Sequence, residues 1–247
     1  MSSRSNLLIA LMMVITIALA VFSAGCTSSA PQQTPPQTPA GVTFLPARNV
    51  SRLMDVTPPA GAIYPGVPLN IVIDVEANLT DSSSMSIQQS GKEYGTTHMV
   101  DDNRVTLRRY MDQAAPDGLY TVTYTACWES GGSCEDGMFQ FAIDRSFSSP
   151  YTDWRGQSAV TIHIQNETKN PRYVIVSPGT NVTWVNDDPV AHTADSDSHM
   201  THSYYPDLDS GLIEPGASFS HVFDQAGVYP THCSEHAETE HAIIIVE

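Results

Sequence analysis

The sequence predicts an all-β chain, two β-sandwich domains in series, on three observations. Strand-length runs of β-branched and aromatic residues recur from about residue 52 to the end of the chain. Gly, Pro and Asp punctuate the gaps between them, and no segment carries an apolar stripe at helical spacing. With 247 residues and 41% hydrophobic content, the chain has enough material for two ordinary packed cores.

Residues 1–26 read as a lipoprotein-type signal segment. A single Arg precedes a nearly unbroken apolar run from Leu7 to Phe22, which ends in Ser23-Ala-Gly-Cys26. That run is short for a stable span, and small residues before a cysteine suit cleavage and acylation at Cys26. An uncleaved signal anchor is the alternative. Either reading leaves the rest of the chain outside the cytoplasmic membrane and tethered to it. Residues 27–46, with Pro31, Pro35, Pro36, Pro39 and Pro46, offer almost nothing to bury. They read as an extended linker that at ~3 Å per residue lifts the first folded domain by ~50 Å.

Residues 47–147 form the first expected sandwich, with strand-like runs at 69–75, 105–107, 119–125 and 138–143. Cys127 and Cys134 flank a Gly131-Gly132 turn, and an oxidising compartment explains the pair as a disulfide closing a short loop. The layout Pro58-Pro-Ala-Gly-Ala, Asp117-Gly-Leu-Tyr-Thr-Val-Thr-Tyr and Asp136-Gly-Met-Phe-Gln-Phe resembles the sandwich domains of the copper-resistance CopC-like family. The copper-binding histidines that this resemblance implies have no counterparts. The mature amino terminus lacks one, and the late turn reads Cys134-Glu135-Asp136-Gly137. His98, beside Met99, is the one imidazole in this half and reads as a spectator. The domain is expected to be structural or partner-binding.

Residues 148–157, with Pro150 and Gly156, read as a second linker. The region 158–247 then supplies six or so further strands, the last beginning at His241. Sequons at Asn49, Asn78, Asn166 and Asn181 fit an exported chain if glycosylation exists there. The formal charge is −16, and no Lys or Arg follows Arg172 while twelve Asp and Glu do. Such a surface repels nucleic acid and anionic headgroups; besides keeping the chain soluble, it suits a basic protein partner or a cation.

Eight of the nine histidines lie between His163 and His241, and Cys233 sits among them without a partner cysteine. One thiol and the imidazoles of His192, His236 and His241 make a soft nitrogen-and-sulfur set of the kind that holds copper. His232 should point to the opposite face from Cys233, and His163 and His221 are expected at the surface. His199, Met200 and His202 form either a separate metal site or, the preferred reading, a polar loop.

Three motifs in this region resemble the plastocyanin and azurin family of cupredoxins. They are Trp184-Val-Asn-Asp-Asp-Pro-Val-Ala-His192-Thr, Asp209-Ser-Gly-Leu-Ile-Glu-Pro-Gly and Phe223-Asp-Gln-Ala-Gly-Val-Tyr-Pro-Thr-His-Cys233-Ser-Glu-His236. The resemblance implies a Greek-key sandwich in which His192, Cys233 and His236 bind one copper ion, with a weak axial ligand, usually Met. No Met follows His236. The Cys-x2-His-x4-His loop is instead similar to that of nitrosocyanin, which lacks the usual upstream His and uses a Glu. His241 is therefore the expected fourth ligand, with Thr239, Glu240, a carbonyl or water as alternatives.

The resemblance implies one-electron transfer with a redox partner protein, by a carrier rather than an enzyme. Copper storage, delivery or resistance is the second reading, and small-molecule redox catalysis the third. With no second cupredoxin repeat and no extra histidine set in view, a multicopper oxidase or nitrite reductase is not expected.

Overall fold

The computed structural model describes residues 42–146, 151–237 and 239–247. The expected signal segment, Cys26 and most of the first linker lie outside the described residues. Among the described residues no helix is long and apolar enough to cross a membrane. Everything described is β-structure and loops, apart from one 3-10 turn.

The first half contains β1 (Leu53–Thr57), β2 (Ile63–Tyr64), β3 (Asn70–Val75), β4 (Ser84–Gln89), β5 (Lys92–Glu93), β6 (Gly95–Val100), β7 (Thr106–Met111), β8 (Gly118–Cys127) and β9 (Cys134–Ile143). They form sheets of order β1-β3-β7-β6 and β2-β9-β8-β4-β5, closed over a core that includes Leu79, Tyr120, Val122, Trp128, Phe139 and Phe141. Cys127 and Cys134 are register partners at the end of the β8–β9 hairpin and form a disulfide.

The second half contains β10 (Thr152–Asp153), β11 (Ala159–Ile164), β12 (Lys169–Asn170), β13 (Tyr173–Val176), β14 (Thr180–Asn186), β15 (Asp195–Ser196), β16 (Ser218–Phe223), β17 (Gly227–His232) and β18 (His241–Val246). Its sheets have order β10-β13-β18-β17-β15 and β12-β11-β14-β16. β11 pairs in parallel with β14, and β13 with β18, so the chain passes between sheets instead of meandering within one. Trp184, Tyr204, Phe223 and Tyr229 fill the core between them. β10 lies in the stretch expected as linker, where its parallel pairing with β13 makes it a sheet edge.

β3, with the sequence Asn-Ile-Val-Ile-Asp-Val, is buried at every position, because it is covered on both faces. Ile71, Ile73 and Val75 enter the first core, while Val72 enters the second. Asn70 and Asp74 share the Val72 face and need polar partners there. The loop after β15 supplies them. Asp74, 1% exposed, accepts hydroxyls from Thr106 (2.6 Å), Thr201 (3.0 Å), Ser203 (2.9 Å) and Ser198. Buried Arg108 on β7 grips Asp101 at 2.6 Å with its guanidinium and donates to the carbonyls of Tyr204 (3.1 Å) and Ser203. Tyr204 accepts the Leu69 N–H at 2.9 Å on its hydroxyl, which donates to the Val228 carbonyl.

Replacing Asp74 by Ala leaves these buried hydroxyls without their common acceptor and is expected to cost about 2–4 kcal/mol. Urea unfolding measures the cost, and hydrogen exchange should rise first in residues 198–204. Unchanged stability and exchange would show that Asp74 does not hold the loop.

Candidate metal centre

The site grows from the end of the β17–β18 ladder. Past His232 the chain makes a 3-10 turn at Ser234–His236 and returns as β18. The turn is closed by the His236 N–H on the Cys233 carbonyl (3.1 Å) and the Glu240 N–H on the His236 carbonyl (3.0 Å). The Cys233 N–H donates back to the Glu240 carbonyl at 3.0 Å. Arg172 clamps the loop from outside, donating to the carbonyls of His241 and Thr239, each at 2.6 Å. His192 arrives from the loop after β14, held by exchange of backbone hydrogen bonds with Ile213 at 3.2 and 2.7 Å.

These elements bring together one atom each of His192, Cys233, His236 and Glu240, all within 4.8 Å of one another. The Cys233 Sγ lies 3.8 Å from His192 Nδ1 and 3.6 Å from His236 Nδ1. Bonds of about 2.0 Å to nitrogen and 2.3 Å to sulfur, opened to a tetrahedral-to-trigonal angle, separate N and S by roughly 3.7 Å, so the sulfur and the two ring nitrogens fit one ion. Sγ also accepts the Thr193 N–H at 3.2 Å. Burial pushes the Cys233 thiol up, the Thr193 N–H lowers it and the Glu240 charge raises it again, with a net rise. Such a thiol keeps its proton unless a cation takes its place.

Asp188 backs the His192 ring on the side away from the sulfur. Its Oδ2 lies 3.1 Å from His192 Nε2, so Asp188 can hold the ring proton there once a cation takes the place of the proton between Nδ1 and Glu240. Burial raises the Asp188 carboxyl, but backbone N–H donation from Glu167 (2.9 Å) and Asn166 (2.7 Å) and the neighbouring His192 outweigh it, and the group sits below its usual range.

Glu240 is fully buried. Its Oε2 lies 2.7 Å from His192 Nδ1 and 3.6 Å from His236 Nδ1, and its Oε1 lies 3.0 Å from Lys169 Nζ. Lys169 is itself 1% exposed. Burial draws its ammonium down, and Glu240 opposes that shift. A buried carboxylate is thus balanced by an ammonium on one side and opens toward the histidine nitrogens on the other.

His241, the fourth ligand expected from the loop spacing, is not brought to this group. It opens β18 directly opposite His232, with ring centroids 6.4 Å apart. Consecutive strand residues point to opposite faces, so Glu240 turns inward and His241 turns away. Burial holds its imidazole below the usual value. Sequence reasoning assigned no role to Lys169 or Asp188. Lys169 had a signal, being one of only two lysines in the chain and lying in its acidic half.

No family model matches the chain, and no curated protein matches it. Among solved structures, a reduced tryptophan-to-tyrosine variant of amicyanin is similar at 21% identity and a TM-score of 0.33, covering 37% of this chain and 85% of its own. A purple cupredoxin from Nitrosopumilus maritimus matches at 28% identity and 0.31, covering 36% of this chain and 99% of its own. CopC from Methylosinus trichosporium OB3b matches at 23% identity and 0.35, covering 38% of this chain and 92% of its own.

Replacing Lys169 by Met leaves the Glu240 carboxylate buried without its ammonium, an expected loss of about 3–5 kcal/mol. Saturating Cu(II) should recover part of that loss, because a cation beside Glu240 takes over the balancing charge. Thermal melts with and without the ion measure both effects. Equal destabilisation in the two would show that Glu240 does not face the metal.

Proposed function

We propose that the chain is an extracytoplasmic copper protein that passes single electrons, with one ion held by His192, Cys233 and His236 and with Glu240 as the fourth donor. The observation that carries this reading is the buried Cys233 sulfur, set 3.8 and 3.6 Å from two imidazole nitrogens that face it. Copper in such a set supplies a Cu(I)/Cu(II) couple.

The protein's residues do the rest. The ladder and the Ile213 bridge fix the ligands before any ion arrives, so little rearrangement accompanies a change of charge. Thr193 donates to the sulfur and tempers its electron density. Glu240, a hard anionic donor where the family has a thioether, favours the more highly charged state and lowers the potential. His236 is the ligand closest to solvent, with 23% of its side chain exposed, and gives a partner its shortest approach. The acidic surface suits a partner with a basic docking face. A lipid anchor at Cys26 would tether the carrier to the membrane, and the Cys127–Cys134 disulfide agrees with an oxidising compartment.

Visible and EPR spectra of the copper-loaded protein test this directly. Cys233→Ser should abolish an intense sulfur-to-copper absorption band. Glu240→Gln should keep that band while raising the reduction potential, and His241→Ala should leave both unchanged. A band that survives Cys233→Ser would remove the sulfur from the site. A potential that ignores Glu240→Gln but follows His241→Ala would replace Glu240 with His241.

A further inference from the structure

A second group of donors lies on the other face of β17. β15 and β17 pair so that Asp195 stands directly opposite His232, and residues on opposed strands at the same rung share a face. Both are only 1% exposed. His202 approaches from the loop after β15, and one donor atom each of Asp195, His202 and His232 lies within 4.8 Å of the others. His199, on the same loop and exposed to solvent, places its Nδ1 3.2 Å from His232 Nε2. Two nitrogens bound at about 2.0 Å to one tetrahedral ion would be roughly 3.3 Å apart.

The surrounding hydrogen bonds turn ring nitrogens into this space. His232 Nδ1 lies 3.0 Å from Asp197 Oδ1, which leaves Nε2 toward His199. His202 Nδ1 lies 3.4 Å from Asp209 Oδ2, which leaves Nε2 toward Asp195 Oδ2 at 3.8 Å and Ser234 Oγ at 3.1 Å. The Ser234 hydroxyl donates to Asp195 at 2.6 Å, so its oxygen accepts the Nε2 proton of His202, a proton that a bound cation displaces. Carboxylates behind ring N–H groups are the usual support of histidine ligands.

The loop is also held in a costly shape. His202 has a φ of 48°, left-handed backbone for a residue with a side chain, worth on the order of 1 kcal/mol or more. The hydroxyls of Ser198, Thr201 and Ser203, interleaved with His199 and His202, are the ones tied to Asp74 of the first sandwich.

We propose that Asp195, His202 and His232, with His199 as a further donor, form a second metal site for a divalent transition ion of borderline hardness, zinc or copper(II). The first sandwich shapes it by anchoring its loop, and the solvent-facing His199 and His202 give an ion its entry. Without sulfur, the site contributes no intense visible absorption. Residues 199–202 would then bear ligands, the alternative to the polar loop expected from the sequence.

Copper counting on the desalted full chain tests this. The wild-type chain should retain two Cu(II), one with the sulfur band and one silent in the visible but seen by EPR. His202→Ala should retain one and keep the band, which also reports that it has folded. His199→Ala, altered at the exposed edge, should bind the second ion about tenfold more weakly. In the Cys233→Ser background, His202→Ala should still remove one ion, whatever the outcome at the first site. A wild-type chain that retains a single ion, or a His202→Ala chain that retains two, overturns the proposal.

Discussion

Consecutive residues on a strand point to opposite faces, and at the end of the β17–β18 ladder this sends Cys233 and Glu240 to one side and His232 and His241 to the other. One pair of strands therefore separates two chemistries. The inner side is dry, with a sulfur, a carboxylate and the buried ring of His192. The other side is richer in imidazole and carboxylate, with Asp195 and His232 buried and His199 and His241 at the solvent edge. A one-residue slip of β18 would put His241 where Glu240 stands, so the register of β18 against β17 is the constraint on which the Cys233 group rests, while Asp195 meets His232 through the register of β15 against β17. The apolar residues of β18 hold that register by filling the core below.

A second strand, β3, ties the halves of the molecule together. Its two faces belong to two cores, and the polar residues on the outward face meet the loop that carries His199 and His202. Asp74 and Arg108 would be costly to bury alone. They are tolerated because hydroxyls and carbonyls of residues 198–204 satisfy them, and the loop in turn takes its shape from them. This gives the first sandwich a physical role in addition to any partner it binds.

Much of this was legible in the sequence where the signal is local. β-branched alternation marked most of the longer strands, the Cys127–Cys134 spacing marked the disulfide, and the sequence motifs brought out His192, Cys233 and His236 as a group. What depends on pairing was not legible. Loop spacing favoured His241, whereas strand alternation brings Glu240 to the group of His192, Cys233 and His236. The pairing of His232 with His241 is what places Glu240 beside Cys233. The hydrophobic run of β3 marked a buried strand without saying that its second face is covered by another domain. Lys169 could be noticed as a rare cation, but its partner lies 71 residues away. The loop of residues 199–202 reads as polar until Asp195 and His232 are placed beneath it.

Anomalous scattering at the copper edge from crystals of the copper-loaded protein would locate the ion and its ligands. A copper peak should appear bounded by His192 Nδ1, Cys233 Sγ and His236 Nδ1, with a Glu240 oxygen completing the set and His241 turned away. A peak coordinated by His241, or none beside Cys233, would contradict it.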